Sequence, residues 1–223
     1  MPTEKINNKS LITFINPFSY YTIRRHHSGD LILKNFDINY DGISLVAIDN
    51  LLFFNNTKRS SFDDTSLAPI VLKAVSEKNL KLGIIGSSRE TILKAKRIIE
   101  AKYGINIKHT RDGYFKENEL SQILEEFKEC EIVITSMGTP LQEDFLLSLK
   151  QSGWNGTGFT CGGYFDQLAS SNGLNYYPPL IDKLHMRWLY RIYKEPRRLW
   201  KRYLVYYPLG IIYFVFDRLT RQN

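Results

Sequence analysis

KLGIIGSSRE, residues 81–90, decides the fold. Lys81 to Gly86 is one lysine followed by an unbroken apolar run, too short for a helix. It reads as a strand buried on both faces, the kind found in parallel sheets. Ser87 and Glu90 then stand at capping-box spacing, which starts a helix running to Tyr103 and closed by Gly104. A buried strand feeding directly into a helix is the unit of an α/β fold.

The same alternation extends both ways along the chain. Upstream, Leu11 to Ile15 reads as a first strand, stopped by Asn16-Pro17, and Asn35 to Tyr40 as a short strand ending at Asp41-Gly42. Ile43 to Phe54 and Thr65 to Lys78 read as helices. Downstream, strands are expected at Ile105 to His109, Ile132 to Met137 and Thr157 to Cys161, and helices at Glu117 to Lys128 and Leu141 to Gln151. The expectation is a Rossmann-like, mainly parallel sheet with helices on both faces. A composition shift near Pro178-Pro179 divides a core, 1–180, from a C-terminal basic amphipathic helical appendage, 181–223.

That shift is one of charge. The 223 residues carry a net charge of +7. From Lys183 onward there are ten Lys and Arg against Glu195 and Asp217, a local +8, so the rest of the chain is near −1. Ten of the 30 aromatics lie there too. Arg187, Arg191, Lys194, Arg198 and Lys201 or Arg202 recur at helical spacing. Pro196 divides the pattern into two helices or a kinked one. Such a tail meets nucleic acid, an anionic membrane or a phosphate-bearing substrate. The uncharged run Tyr203 to Phe216 is 14 residues, short of the roughly 20 that span a bilayer. It reads as an interfacial segment, or else as a segment packed on the body. The N-terminus shows no signal-peptide pattern. Cys130 and Cys161 are the only cysteines, which excludes a disulfide scaffold and fits a reduced compartment.

In such sheets ligands bind beyond the carboxyl ends of the strands. Those ends carry Asp41-Gly42, Gly86-Ser87-Ser88, Arg111-Asp112-Gly113, Gly138 to Glu143 and Gly162-Gly163. Glycine turns followed by helix N-termini favour a phosphate or nucleotide ligand. There is no Walker A loop, no GxGxxG, no HExxH or CxxC, and no GxSxG elbow. The four histidines lack ligand spacing, so no metal is expected.

INPFSY (15–20), YDGIS (40–44), TRDGYF (110–115), MGTPLQEDF (137–145), GGYFD (162–166) and MRWLYRIYKEPRRLWKRY (186–203) together resemble the WecG/TagA/CpsF bacterial glycosyltransferases, family 26. The resemblance implies inverting, metal-independent transfer from a UDP-sugar to a polyprenyl-diphosphate-linked acceptor in cell-surface polysaccharide synthesis. It places the enzyme at the cytoplasmic face of the plasma membrane, with self-association possible and no nucleic-acid partner. It makes Asp41 the general base. Asn16, Gly42, Arg59, Gly86, Arg111, Gly138, Gln142, Glu143 and Gly163 become donor-pocket residues, and Arg191, Arg198 and Arg202 the grip on the lipid diphosphate. The chain departs from the family at Phe14, where a Thr is usual, at Phe62 in the segment Arg59 to Thr65, where a Gly is usual, and at Arg187, where a Glu is usual. Thr13, one residue away, points to the opposite face of its strand and is given no catalytic role. These departures keep alive the reading of a non-catalytic membrane adaptor with a degenerate transferase body.

Overall fold

A computed structural model describes residues 9–173, 187–194 and 196–220. In the core the chain runs β1 (Leu11–Ile15), α1 (Pro17–Arg24), α2 (Gly29–Asn35), β2 (Phe36–Tyr40), α3 (Ile43–Phe53), α4 (Leu67–Glu77), β3 (Leu82–Gly86) and α5 (Arg89–Tyr103). It continues with β4 (Ile107–Arg111), a 3₁₀ turn (Glu117–Glu119), α6 (Leu120–Phe127), β5 (Ile132–Ser136), α7 (Leu141–Gln151), β6 (Thr157–Thr160) and α8 (Tyr164–Ser170). The tail follows as α9 (Arg187–Lys194), α10 (Pro196–Lys201), a π-helical segment (Arg202–Tyr206) and α11 (Tyr207–Thr220).

The sheet has six strands in the order β2-β1-β6-β5-β3-β4, and every pair is parallel. The central strands β3 and β5 are buried at every position. One face packs Ile12, Ile84, Ile134 and Phe159 against α4, α5 and α8. The other packs Leu11, Ile15, Ile85 and Val133 against α1, α2, α3, α6 and α7. The α5 helix, after β3, and α7, after β5, therefore lie on opposite faces. A crevice opens between two adjacent strands whose connections diverge in this way.

Local chemistry differs from the expectation in three places. The α5 cap is Ser88, whose hydroxyl accepts from Thr91 N at 3.2 Å, not Ser87. Ser87 instead has φ 52 and ends the strand in a tight turn. Asn16-Pro17 does stop β1, but it also starts α1: Asn16 accepts from Ser19 N, Ser19 answers the Asn16 N–H, and Pro17 sits in the first turn. The helices α2 and α8 were likewise not anticipated. Pro196 opens the second tail helix, as its fixed φ favours.

The final helix is docked on the body along one face. A Cβ on Gly210 would lie 1.8 Å from Pro17 O, so α11 and α1 cross in direct backbone contact. Phe214 is buried edge-on between Tyr20 and Tyr40, with centroids 5.5 Å away in both cases. Two ion pairs flank it. Asp217, buried, accepts from Tyr20 Oη at 2.5 Å and pairs with Arg24 Nε at 2.8 Å. Arg218 donates to the buried Asp49 on α3 at 2.7 Å. The apolar run thus packs on the body with one face. Its other face (Leu209, Ile212, Phe216, Leu219) is exposed. Among the described residues, no helix is long and apolar enough to cross a membrane. The expected boundary at 180 falls outside the described residues.

Asp217→Ala would leave Tyr20 Oη and Arg24 without their buried acceptor, at a cost of about 2–3 kcal/mol. Thermal unfolding should drop by roughly 5–10 °C, whereas Ile212→Ala on the outer face should hardly move it. Equal melting curves for the two variants would refute the docking role of Asp217.

Candidate active site

A cleft of about 1600 Å³ lies over the carboxyl ends of the strands. On one side it is lined by the turns after β3, β5 and β6, with Ser87, Ser88, Gly138, Thr139, Gly162 and Gly163 at its surface. The helices α5, α7 and α8 all start there, so their positive dipole ends converge on the cleft. The opposite side is formed by Phe14, Asn16, Asp41, Gly42, Arg59 and Ser61. Lys201, Arg202, Tyr203, Tyr206 and Tyr207 from the tail complete the lining.

Asp41 is placed by the ends of β1 and β2. Its N–H donates to Ile15 O at 2.8 Å, and that of Gly42 to the same oxygen at 3.3 Å. A Cβ on Gly42 would press on Pro17 and Asn16 at 3.0–3.2 Å, so a larger residue would push the β2 end off α1. Arg59 then fixes the side chain: Nε donates to Asp41 O at 2.8 Å and Nη2 to Asp41 Oδ1 at 2.6 Å. Arg59 is itself held by Ser61 Oγ at 3.2 Å and by Asp63 at 3.8 Å. The carboxylate is oriented through one oxygen. Its Oδ2 has no hydrogen-bond partner among the described residues.

Tyr207 overlooks this pair. Burial pushes its hydroxyl well above the ordinary tyrosine value, Tyr203 and the Asp41 charge push the same way, and Arg202 pulls it back. It therefore stays a neutral phenol. Arg202 lines the cleft with its guanidinium 4.4 Å over the Phe18 ring, a cation–π contact that fixes its position. The side chains of Arg191 and Arg198 lie outside the described residues.

Gln142 borders the cleft, yet its carboxamide is spent inside the protein. Nε2 donates to Glu143 Oε1 at 3.0 Å and Thr139 Oγ1 at 3.2 Å, while Oε1 accepts from Gly162 N at 3.2 Å. It ties the turn after β5 to the turn after β6 rather than offering donor and acceptor to a ligand. Three expected donor residues do not line the cleft. Glu143 is 0% exposed beneath it, accepting from Thr13 Oγ1 at 2.7 Å and from Thr139 at 3.3 Å. Arg111 is turned to Glu119 in a 2.5 Å ion pair. Gly86 has φ 135, and a Cβ there would meet Ser136 O at 2.2 Å; its role is to let β3 and β5 end side by side.

Thr13 points away from the cleft, as strand alternation requires, into a hydrogen bond with Thr160 at 2.9 Å. Phe14 takes the cleft face and packs edge-on against Phe62 at 6.2 Å. Two of the three family departures thus touch each other. Asp166, in the first turn of α8, lines the cleft and accepts from Ser87 Oγ at 2.9 Å. Sequence reading did not single out Phe18, Tyr206 and Tyr207 as cleft residues, since aromatic side chains carry no local sign of whether they face a core or a cleft. Among the described residues, no group of three or more His, Cys, Asp or Glu is arranged to hold a metal.

The sheet, the glycine turns at its strand ends and the Asp41–Arg59 pair set a held carboxylate across a cleft from three converging helix N-termini. The model of the glycosyl transferase WecG/TagA/CpsF family matches residues 3–223. The chain belongs to this family and is a glycosyltransferase. It is 36% identical over 223 residues to the UDP-Gal:alpha-D-GlcNAc-diphosphoundecaprenol beta-1,4-galactosyltransferase of Shigella boydii, covering 96% of this chain and 90% of that protein. With the N-acetylglucosaminyldiphosphoundecaprenol N-acetyl-beta-D-mannosaminyltransferase of Bacillus subtilis strain 168 it shares 24% identity over 197 residues, 87% and 75% of the two chains.

Burial raises the Glu143 carboxyl above its ordinary 4.5, against the hydrogen bonds from Thr13, Gln142 and Thr139 that favour the charged form. Such a group takes up a proton on folding. Its contribution is complete below pH 4.5 and is lost as pH rises above that value. Glu143→Gln keeps the accepting oxygen and removes the titration. The variant should gain on the parent by at most about 1.4 kcal/mol per pH unit from pH 4.5 upward. Parallel curves of denaturation midpoint against pH would overturn this.

Proposed function

We propose that this glycosyltransferase moves a hexose from a UDP-sugar to a GlcNAc-diphosphate-polyprenol acceptor, with inversion at the transferred carbon. The observation that carries it is the Asp41 carboxylate, held by Arg59 through one oxygen, in a cleft ringed by three helix N-termini and Arg202. Asp41 takes the proton from the acceptor hydroxyl as that oxygen bonds to the sugar's C1. The bond from C1 to the diphosphate oxygen breaks, and its electron pair leaves with UDP. The N–H groups at the starts of α5, α7 and α8 are suited to the departing diphosphate, and this reading assigns it no metal. Arg202, with Arg191 and Arg198, is assigned the acceptor's diphosphate.

The relative at 36% identity makes galactose the first donor to test, ahead of N-acetylmannosamine, glucose or a uronic acid. This reading assigns the enzyme to cell-envelope polysaccharide synthesis, docked peripherally at the cytoplasmic face of the plasma membrane through residues 181–223. Asn16, Gly42, Gly138 and Gly163, which line the cleft, remain its donor-side residues.

A panel of UDP-sugars with a synthetic GlcNAc-diphosphate lipid, followed by mass spectrometry and anomer assignment, tests the reaction. One hexose added as the β-anomer is expected. A retained α-anomer, or no product with any donor, would sink it. Asp41→Asn should lower turnover by 10²–10⁴-fold while UDP affinity stays within a few-fold. Activity near that of the parent would remove Asp41 from the base role.

A further inference from the structure

The α3 helix has the wrong outside for an ordinary surface helix. Its single charged residue, Asp49, faces inward, where it accepts from Thr57 Oγ1 at 2.5 Å and Asn55 Nδ2 at 3.1 Å besides Arg218. The outward positions Ile43, Ala47 and Leu51 are apolar, with Leu51 73% exposed. At the helix end Phe54 occupies the left-handed region, φ 53 and ψ 30, with its ring 90% exposed. Glycine is the ordinary residue there, and an aromatic side chain bears strain with no packing in return. A helix apolar on the outside marks a contact surface.

Three observations say what covers it. First, the face starts at the cleft: Ile43 and Ser44 line it, and across from them so does the exposed Leu204, where the outer apolar face of the tail begins. Second, the far ends of the two elements are tied together, since Arg218 of α11 pairs with Asp49 and stacks 5.2 Å from the Phe53 ring. Third, exposed cations flank the two faces: Lys58 follows α3, and Arg197 and Lys201 precede the tail face. Apolar side chains bordered by Lys and Arg match a bilayer interface with anionic headgroups.

We infer that the outer face of α3, with Leu51 and Phe54 at its tip, is a second lipid-contacting surface, acting beside the tail so that the cleft mouth faces the membrane. This extends the reading of a lipid-linked acceptor and rests on it, but it is tested without turnover. Leu51 and Phe54 lie outside the cleft lining and make no buried contact, so Leu51→Glu with Phe54→Glu should fold like the parent, as circular dichroism and melting would record.

The full chain and the double variant are floated with vesicles of phosphatidylglycerol and phosphatidylethanolamine, and separately with phosphatidylcholine alone. The variant should partition at least tenfold more weakly into the anionic vesicles, while the parent prefers them over phosphatidylcholine. Its turnover of a short-chain, water-soluble acceptor should be unchanged and its gel-filtration volume the same. Equal flotation of variant and parent would overturn the inference. So would a change in oligomeric state with flotation unaltered, which would make α3 a contact between copies. Lack of turnover by the parent would count against the proposed function alone, since flotation is read independently.

Discussion

An all-parallel sheet obliges every connection to cross over one of its faces, and right-handed crossovers fix which face by the direction of travel. Here the chain moves outward from β3 to β4 over one face and back from β5 toward β6 over the other. The helices after β3 and β5 consequently splay apart, and the space between them cannot be filled by the sheet's own side chains. The rest of the site is built around that gap. The glycine turns let the strand ends approach it, Gln142 ties two of those turns together, and the β1–β2 end brings Asp41 across from them.

The tail answers a different demand. A cleft at a sheet end is open to solvent on its outer side, and a transfer reaction needs water kept from the activated sugar. Lys201 to Leu204, with Tyr206 and Tyr207, form a wall on that side, and α11 holds it in place through Phe214, Asp217 and Arg218. The helix that reads as an attachment is therefore part of the core on one side. Deleting it would take Asp217 from Tyr20 and Arg24, and Arg218 from Asp49, as well as any lipid contact, so surface substitutions separate the two roles better than truncation does.

Much of this was legible in the sequence because it rests on short-range pattern. The strands Leu82–Gly86 and Ile132–Ser136 are buried on both faces, each one residue shorter than the 81–86 and 132–137 read from sequence, and the helix read at Leu141 to Gln151 has those bounds in the structure. The helices α1, α2 and α8 were not, being only seven or eight residues long, too short to establish a 3.6-residue period. The site divided on similar lines. Asp41, Gly138 and Gly163 follow from strand ends. The withdrawal of Glu143 depends on Thr13, 130 positions away, and that of Arg111 on where a flexible guanidinium finds Glu119. Such long-range or rotameric choices leave no local trace.

The π-helical segment Arg202–Tyr206 has one further meaning. An α-helix advances about 100° per residue, so its two ends are locked in phase. One wider turn breaks that lock. Gly210 can meet Pro17 at the angle backbone contact demands while Arg202 and Tyr203 face the cleft at the angle its lining demands. The segment works as a phase adjuster between an anchor and a wall. Were the same five residues to wind as ordinary α-helix, each would turn further about the axis and the wall would swing out of phase with the anchor.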